Sequence, residues 1–151
     1  MKICKICMAN DILCSACSKK VEKGEIRGDD VKISRYLNSK GMDFIRSFES
    51  DGKVYIIVEE AEMGNIIGKS GKNVKGLGKI LGKEIKILQK EEPKSMMEKT
   101  LDAPVVGINK IYGQNEFYRI RIDKRARKKL RKGFEKVIES ILESRAEIVF
   151  E

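Results

Sequence analysis

Val54-Tyr55-Ile56-Ile57-Val58 is the longest uninterrupted apolar run in the chain, and its β-branched content predicts a strand. Asp51-Gly52 just before it is a strong hairpin signal, so 44–50 is expected to be the antiparallel partner. Upstream, Ile33, Tyr36 and Leu37 recur at helical spacing. Either Asp29 or Asp30 suits the N-cap of that helix, and Gly41 sits where it should stop. Downstream, a short helix is expected over 61–67, then Gly68–Gly71, then a helix carrying Val74, Leu77 and Leu81 inward and ending at Gly82. Residues 84–88 read as a closing strand. The predicted order is α-β-β-α-α-β.

That order returns once. Pro93 suits the first turn of a helix over 94–101. Strands follow at 105–111 and 117–122, joined by a turn at Gly113-Gln114-Asn115. Asp123 is placed to cap one long helix whose apolar positions are Leu130, Phe134, Val137, Ile138, Ile141 and Leu142, and 147–150 closes as a strand. Val54 and Phe117 open the second strands, and Ile85 and Ile148 lie in the closing ones, each pair 63 positions apart. A constant offset predicts an internal duplication. The fold class is therefore α+β, in three segments: a cysteine-bearing module at 1–29 and two α/β units at 30–92 and 93–151.

Gly68-Lys69-Ser70-Gly71 lies between two short helices. Glycines allow a polymer backbone to approach without a Cβ clash, and the amides opening the next helix at about Lys72 favour phosphate oxygens. Lys69 and Lys72 add charge and Ser70 a hydroxyl donor, while Ile66 and Ile67 suit the wall of a groove for bases. A nucleotide-binding P-loop is excluded, because Gly64 to Gly68 encloses three residues rather than four and no strand runs into Gly64. An ordinary inter-helix turn is the plain alternative.

The stretch Met63-Gly64-Asn65-Ile66-Ile67-Gly68-Lys69-Ser70-Gly71-Lys72-Asn73-Val74-Lys75, with Leu81-Gly82-Lys83-Glu84-Ile85 behind it, resembles the core of a type II KH domain of the archaeal NusA-like group. The resemblance implies that Gly68 and Gly71 are the loop glycines and that Lys69 and Ser70 are the variable pair between them. It also implies a clamp on the backbone of about four single-stranded RNA nucleotides, with Lys75 on the same face.

In the second unit the offset of 63 lands on Arg131-Lys132-Gly133-Phe134, with one glycine inside the expected long helix. This unit reads as a degenerate KH-like fold without the loop. It does carry seven basic residues in nine over 124–132. A solvated helix face is the bland reading; an electrostatic RNA contact by Arg125, Arg127, Lys128, Lys129, Arg131 and Lys132 is the functional one. Tyr112 and Tyr118 are on strands and suit packing better than base stacking.

Cys4-Lys5-Ile6-Cys7 and Cys14-Ser15-Ala16-Cys17 are two CxxC pairs with six residues between them, using all four cysteines. Two such turns complete a tetrahedral sulfur site, so Cys4, Cys7, Cys14 and Cys17 are expected to hold structural Zn2+, with an iron–sulfur cluster the other thiolate option. Disulfides do not suit a chain read as cytoplasmic, as this one is from the absence of an export signal or an apolar span. A module this small depends on its metal for folding.

The formal charge of +9 favours polyanions. The net charge is +1 over residues 1–30, +3 over 31–92 and +5 over 93–151. There is no histidine, which removes imidazole acid/base relays and histidine-based nucleophile sites. The expectation is an adaptor rather than an enzyme, binding single-stranded RNA. By the NusA resemblance it would act with RNA polymerase in transcription elongation or termination. A ribosome-associated role is the alternative.

Overall fold

The computed structural model describes residues 3–151, the side chain of Lys69 excepted. The chain divides into two compact units, Met1–Gln89 and Lys90–Glu151. Two short helices open the first: α1 (Lys5–Ala9) and α2 (Ser15–Glu22), each N-capped by the leading cysteine of a CxxC pair. The sequence pattern did not mark them, because one or two turns give periodicity too little length to register. Ile3, Cys7, Cys17 and Ile26 form their buried core together with Val31 of α3 (Gly28–Ser39). The cysteine turns and the following helix thus share one apolar cluster.

α3 starts earlier than expected. Arg27 is the N-cap, and Asp29 and Asp30 lie in the first turn. The Asp30 carboxylate accepts the Arg27 backbone N–H at 2.9 Å and a hydrogen bond from Ser47 Oγ. A carboxylate three residues into a helix satisfies a donor the helix cannot reach, and that use displaces the aspartate from the cap itself.

β1 (Arg46–Ser50) and β2 (Lys53–Val58) form the expected hairpin, with Ser50 opposite Lys53. Asp51 and Gly52 both take left-handed backbone, φ 52° and 73°, as a two-residue turn requires. After α4 (Glu60–Ile67) and α5 (Lys72–Leu81), β3 (Glu84–Gln89) lies parallel to β2, Val54 opposite Ile85. Val54, Ile56 and Val58 project from one face of the sheet onto Ile33 and Leu37 of α3, Ile66 of α4 and Leu77 of α5, all of them buried. Each such side chain contributes about 1.5–3 kcal/mol relative to exposure. Arg27 and Lys83 both pair with Asp29 and Glu49, at 2.8–3.2 Å, tying the start of α3 to β1 and to the turn before β3.

The second unit repeats the plan with α6 (Pro93–Leu101), β4 (Val105–Ile111), β5 (Phe117–Ile122), α7 (Phe134–Leu142) and β6 (Ala146–Phe150). β4 pairs antiparallel and β6 parallel with β5, as in the first sheet. Met97, Ile120, Ile122 and Ile138 are fully buried, and Met96, Val137 and Ile141 nearly so.

Two expectations about this unit are corrected. The predicted long helix is broken: Lys124–Lys129 is a 3-10 turn, Leu130 is extended, and Gly133 at φ 87° N-caps α7. Apolar spacing of four carries across the break, which is why periodicity missed it. Seven like charges crowded into about two and a half helical turns repel, and Gly133 supplies the left-handed residue that ends the run. The constant offset also fails. Val54 pairs with Ile85, but Tyr118 pairs with Ala146, so 31 residues separate partners in the first sheet and 28 in the second. The three lost residues fall between the middle and last strands.

Candidate nucleic-acid interface and metal centre

α4 stops at Gly68, which takes φ 75°, ψ 176° while its N–H donates to Gly64 O at 3.0 Å. Ser70 and Gly71 follow in left-handed backbone, φ 57° and 73°, and Gly71 is the N-cap of α5. A non-glycine residue there costs about 1–3 kcal/mol and persists only where its surroundings hold it. A backbone bond across the turn is long, Gly71 N to Gly68 O at 3.3 Å. The loop therefore lies between the end of one helix and the opening amides of another, which have no intrahelical acceptor.

Ser70, Lys72 and Lys75 are exposed, and neither lysine has a carboxylate partner among the described residues. The Lys69 side chain lies outside the described set. Lys79, one turn beyond Lys75 and also exposed, extends the row along α5; its spacing in the sequence was the available signal. Ile66 and Ile67 part company. Ile66 is 0% exposed within the core, so it offers no surface to a base, whereas Ile67 is half-buried at the loop's edge. Adjacent helical residues differ by about 100° in direction, and the apolar pattern alone did not assign the pair.

The second unit has a loop at the corresponding place. With Gly133 matching Gly71 as the left-handed N-cap, Leu130-Arg131-Lys132-Gly133 stands where Gly68–Gly71 does in the first unit. Leu130, in ordinary extended backbone at φ −72°, replaces the first glycine. Lys128, Lys129, Arg131 and Lys132 are exposed. Arg125 is not a free cation: its guanidinium pairs with Asp123 at 2.8 Å, and its N–H is capped by the same carboxylate. Hydrogen bonds from the Arg125 side chain and then its backbone hold the Asp123 pKa down to about 2. Arg127 lies over the Phe150 ring, 5.3 Å from its centroid.

The four cysteines converge in the first unit. One ligand atom from each lies within 4.8 Å of all the others, and all four thiols are free of disulfides. Tetrahedral Zn–S bonds of about 2.3 Å place sulfurs about 3.8 Å apart, so the donor set fits such an ion. The helix starts supply further support, since backbone N–H groups of Cys4, Cys14 and Cys17 donate to Cys17, Cys7 and Cys14 Sγ at 3.1–3.4 Å. The Cys7 amide, then its thiol, lowers the Cys4 pKa to about 7, and the Cys17 amide lowers that of Cys14. At Cys7 the Cys14 amide pulls the same way, but burial and three neighbouring sulfurs outweigh it and push the thiol up to about 12. Arg35 of α3 donates from Nε to Cys7 O at 3.2 Å, bringing a cation to the edge of the sulfur donor set.

A sequence model of the KH domain matches residues 19–112. The chain belongs to the KH domain family. KH domains bind RNA, and the loop that does so carries this glycine spacing. A curated relative, the probable transcription termination protein NusA of Methanococcus vannielii, is 29% identical over 106 residues, 68% of this chain. The KH chain spans 61% of that relative's length. Among solved structures, the crystal structure of APE1850 superposes with a TM-score of 0.59 over 78% of this chain and 96% of its own, at 18% identity. That likeness concerns the fold. No helix among the described residues is long and apolar enough to cross a membrane.

Proposed function

We propose that this KH protein is a cytoplasmic single-stranded RNA-binding adaptor that performs no chemistry of its own. The observation that carries the reading is the Gly68–Gly71 loop, exposed at Ser70 and opening onto α5 with Lys72 and Lys75 beside it, neither paired with a carboxylate among the described residues. In this reading the loop clamps the RNA backbone through Lys69, Ser70, Lys72, Lys75 and the first amides of α5, and Ile67 borders the bases. Arg127, Lys128, Lys129, Arg131 and Lys132 add salt-sensitive affinity in the second unit, with Arg125 partly neutralised by Asp123.

The module at 1–29 holds Zn2+ through Cys4, Cys7, Cys14 and Cys17, and the ion supplies folding free energy to a segment whose own apolar core is small and completed by Val31 of α3. The KH unit at 30–92 and its degenerate companion at 93–151 are then the RNA-binding part. The similarity to a NusA protein supports a role in transcription elongation or termination, with RNA polymerase as partner. The cluster of exposed cations over 128–132 favours the second reading, attachment to the ribosome through folded RNA. A stable peak with ribosomes in a sucrose gradient would select it.

The test replaces Lys69 and Ser70 together by aspartate (Lys69→Asp, Ser70→Asp) and titrates single-stranded RNA. Affinity should fall at least tenfold, as two charge-assisted contacts are exchanged for repulsion. Unchanged affinity in a folded variant overturns the clamp.

A further inference from the structure

The loop's backbone is strained and its cross-loop bond is long. Three of its four residues have positive φ (Gly68, Ser70 and Gly71), and the backbone bond from Gly71 N to Gly68 O is 3.3 Å. What spans it is a side chain from the far side. Asn73, in the first turn of α5, donates from Nδ2 to the carbonyl of Asn65 in the last turn of α4, at 2.8 Å. The Asn65 carbonyl is among those that a helix end leaves without an intrahelical donor, so one amide group both satisfies α4 and fixes the start of α5 relative to it. The same Nδ2 lies 4.0 Å from Met42 Sδ, on the segment between α3 and β1.

Asn73 also rests directly against the loop. A Cβ on Gly68 would meet Asn73 Nδ2 at 2.9 Å, Cγ at 3.1 Å and the Asn73 backbone N at 3.2 Å. Gly68 is therefore required twice, by its φ and by the volume that Asn73 fills. A Cβ on Gly71, by contrast, would meet nothing within 4 Å, so that glycine answers to its φ alone.

We infer that Asn73 is the positioning residue of the RNA-binding loop: by bridging Asn65 O and packing on Gly68 it holds the strained turn in the shape that accepts the phosphate backbone. This rests on the reading of Gly68–Gly71 as the RNA clamp. Asn73 itself donates to the protein backbone, and its part is to keep the amide of Lys72 and the Ser70 hydroxyl in register. In the second unit, where Leu130 replaces the first glycine, Glu135 stands two residues after the N-cap glycine, as Asn73 does after Gly71. An ionised carboxylate has no donor to offer a carbonyl, so that loop lacks this brace.

The test uses the full chain with Asn73→Ala and Asn73→Ser. Alanine keeps or improves helix propensity, and serine keeps a hydroxyl too short to span to Asn65. Two readouts are taken: hydrogen exchange at the amides of Gly68–Lys72, with Leu77 and Leu81 as fold controls, and titration with a single-stranded RNA oligonucleotide. Loss of one such hydrogen bond corresponds to a three- to tenfold effect, roughly. The expected result is faster exchange in the loop, unchanged exchange in the core, and RNA affinity lower by about that factor in both variants. Loop exchange that stays at the wild-type rate overturns the positioning role, whether or not affinity falls. Loop exchange that speeds up while affinity holds keeps the brace but removes the clamp reading on which its function rests.

Discussion

Asp123 shows how much one carboxylate is asked to do in this chain. It accepts the Arg125 N–H at 2.9 Å and pairs with the same residue's guanidinium at 2.8 Å, which together hold its pKa near 2 rather than 3.8. Its folded pKa is depressed, so the stabilisation is complete above the unfolded value and disappears as pH falls through about 2. An NMR titration of the Asp123 carboxyl carbon should give a midpoint near 2, moving back toward 3.8 in Arg125→Ala; a midpoint near 4 in the wild type would contradict the pairing. The sequence marked Asp123 as a cap but not as an anchor for the next basic residue. It likewise exposed Gly68 and Gly71 by spacing, yet left Ile66 undivided from Ile67 and passed over Asn73. Direction around a helix and contacts eight residues apart are decided by packing, which a one-dimensional pattern does not carry.

Elements with strong local signals were legible. The Asp51-Gly52 hairpin, the presence of a third strand after α5 and the Gly82 stop of α5 all follow from turn chemistry and apolar period, while the parallel pairing of that strand comes from the structure. Two kinds of element were not. The helices α1 and α2 are organised by cysteines rather than by an apolar stripe, and α7 begins later than its spacing suggests because Gly133 breaks the chain at φ 87°. Placing a side chain at that φ is strained, so Gly133→Ala should destabilise the second unit by about 1 kcal/mol or more in denaturant unfolding. A gain in stability would instead indicate that a continuous helix was available. The cysteine-bearing helices, proposed to hold Zn2+, make a separate prediction. Chelation strong enough to strip Zn2+ should remove the helical signal of α1 and α2 and expose Val31, while β1, β2 and β3 keep their slow amide exchange. Simultaneous loss of the sheet would show that the cysteine turns fold with the KH core as one cooperative piece.

At the scale of the molecule, one architectural plan is used twice with different endings. The first copy keeps both glycines, the strained serine and the asparagine brace; the second keeps the closing glycine and concentrates cations around it. With a formal charge of +9 the whole chain attracts a polyanion, but attraction alone does not choose a contact. In the proposed function, RNA backbone is gripped at Gly68–Gly71. The most direct measurement is to follow backbone amide shifts of the full chain while a single-stranded RNA oligonucleotide is added. The largest changes are expected at Gly68, Ser70, Gly71 and Lys72, with smaller ones over 128–132. Shifts confined to 128–132, with the Gly68–Lys72 amides unmoved at saturation, would contradict it.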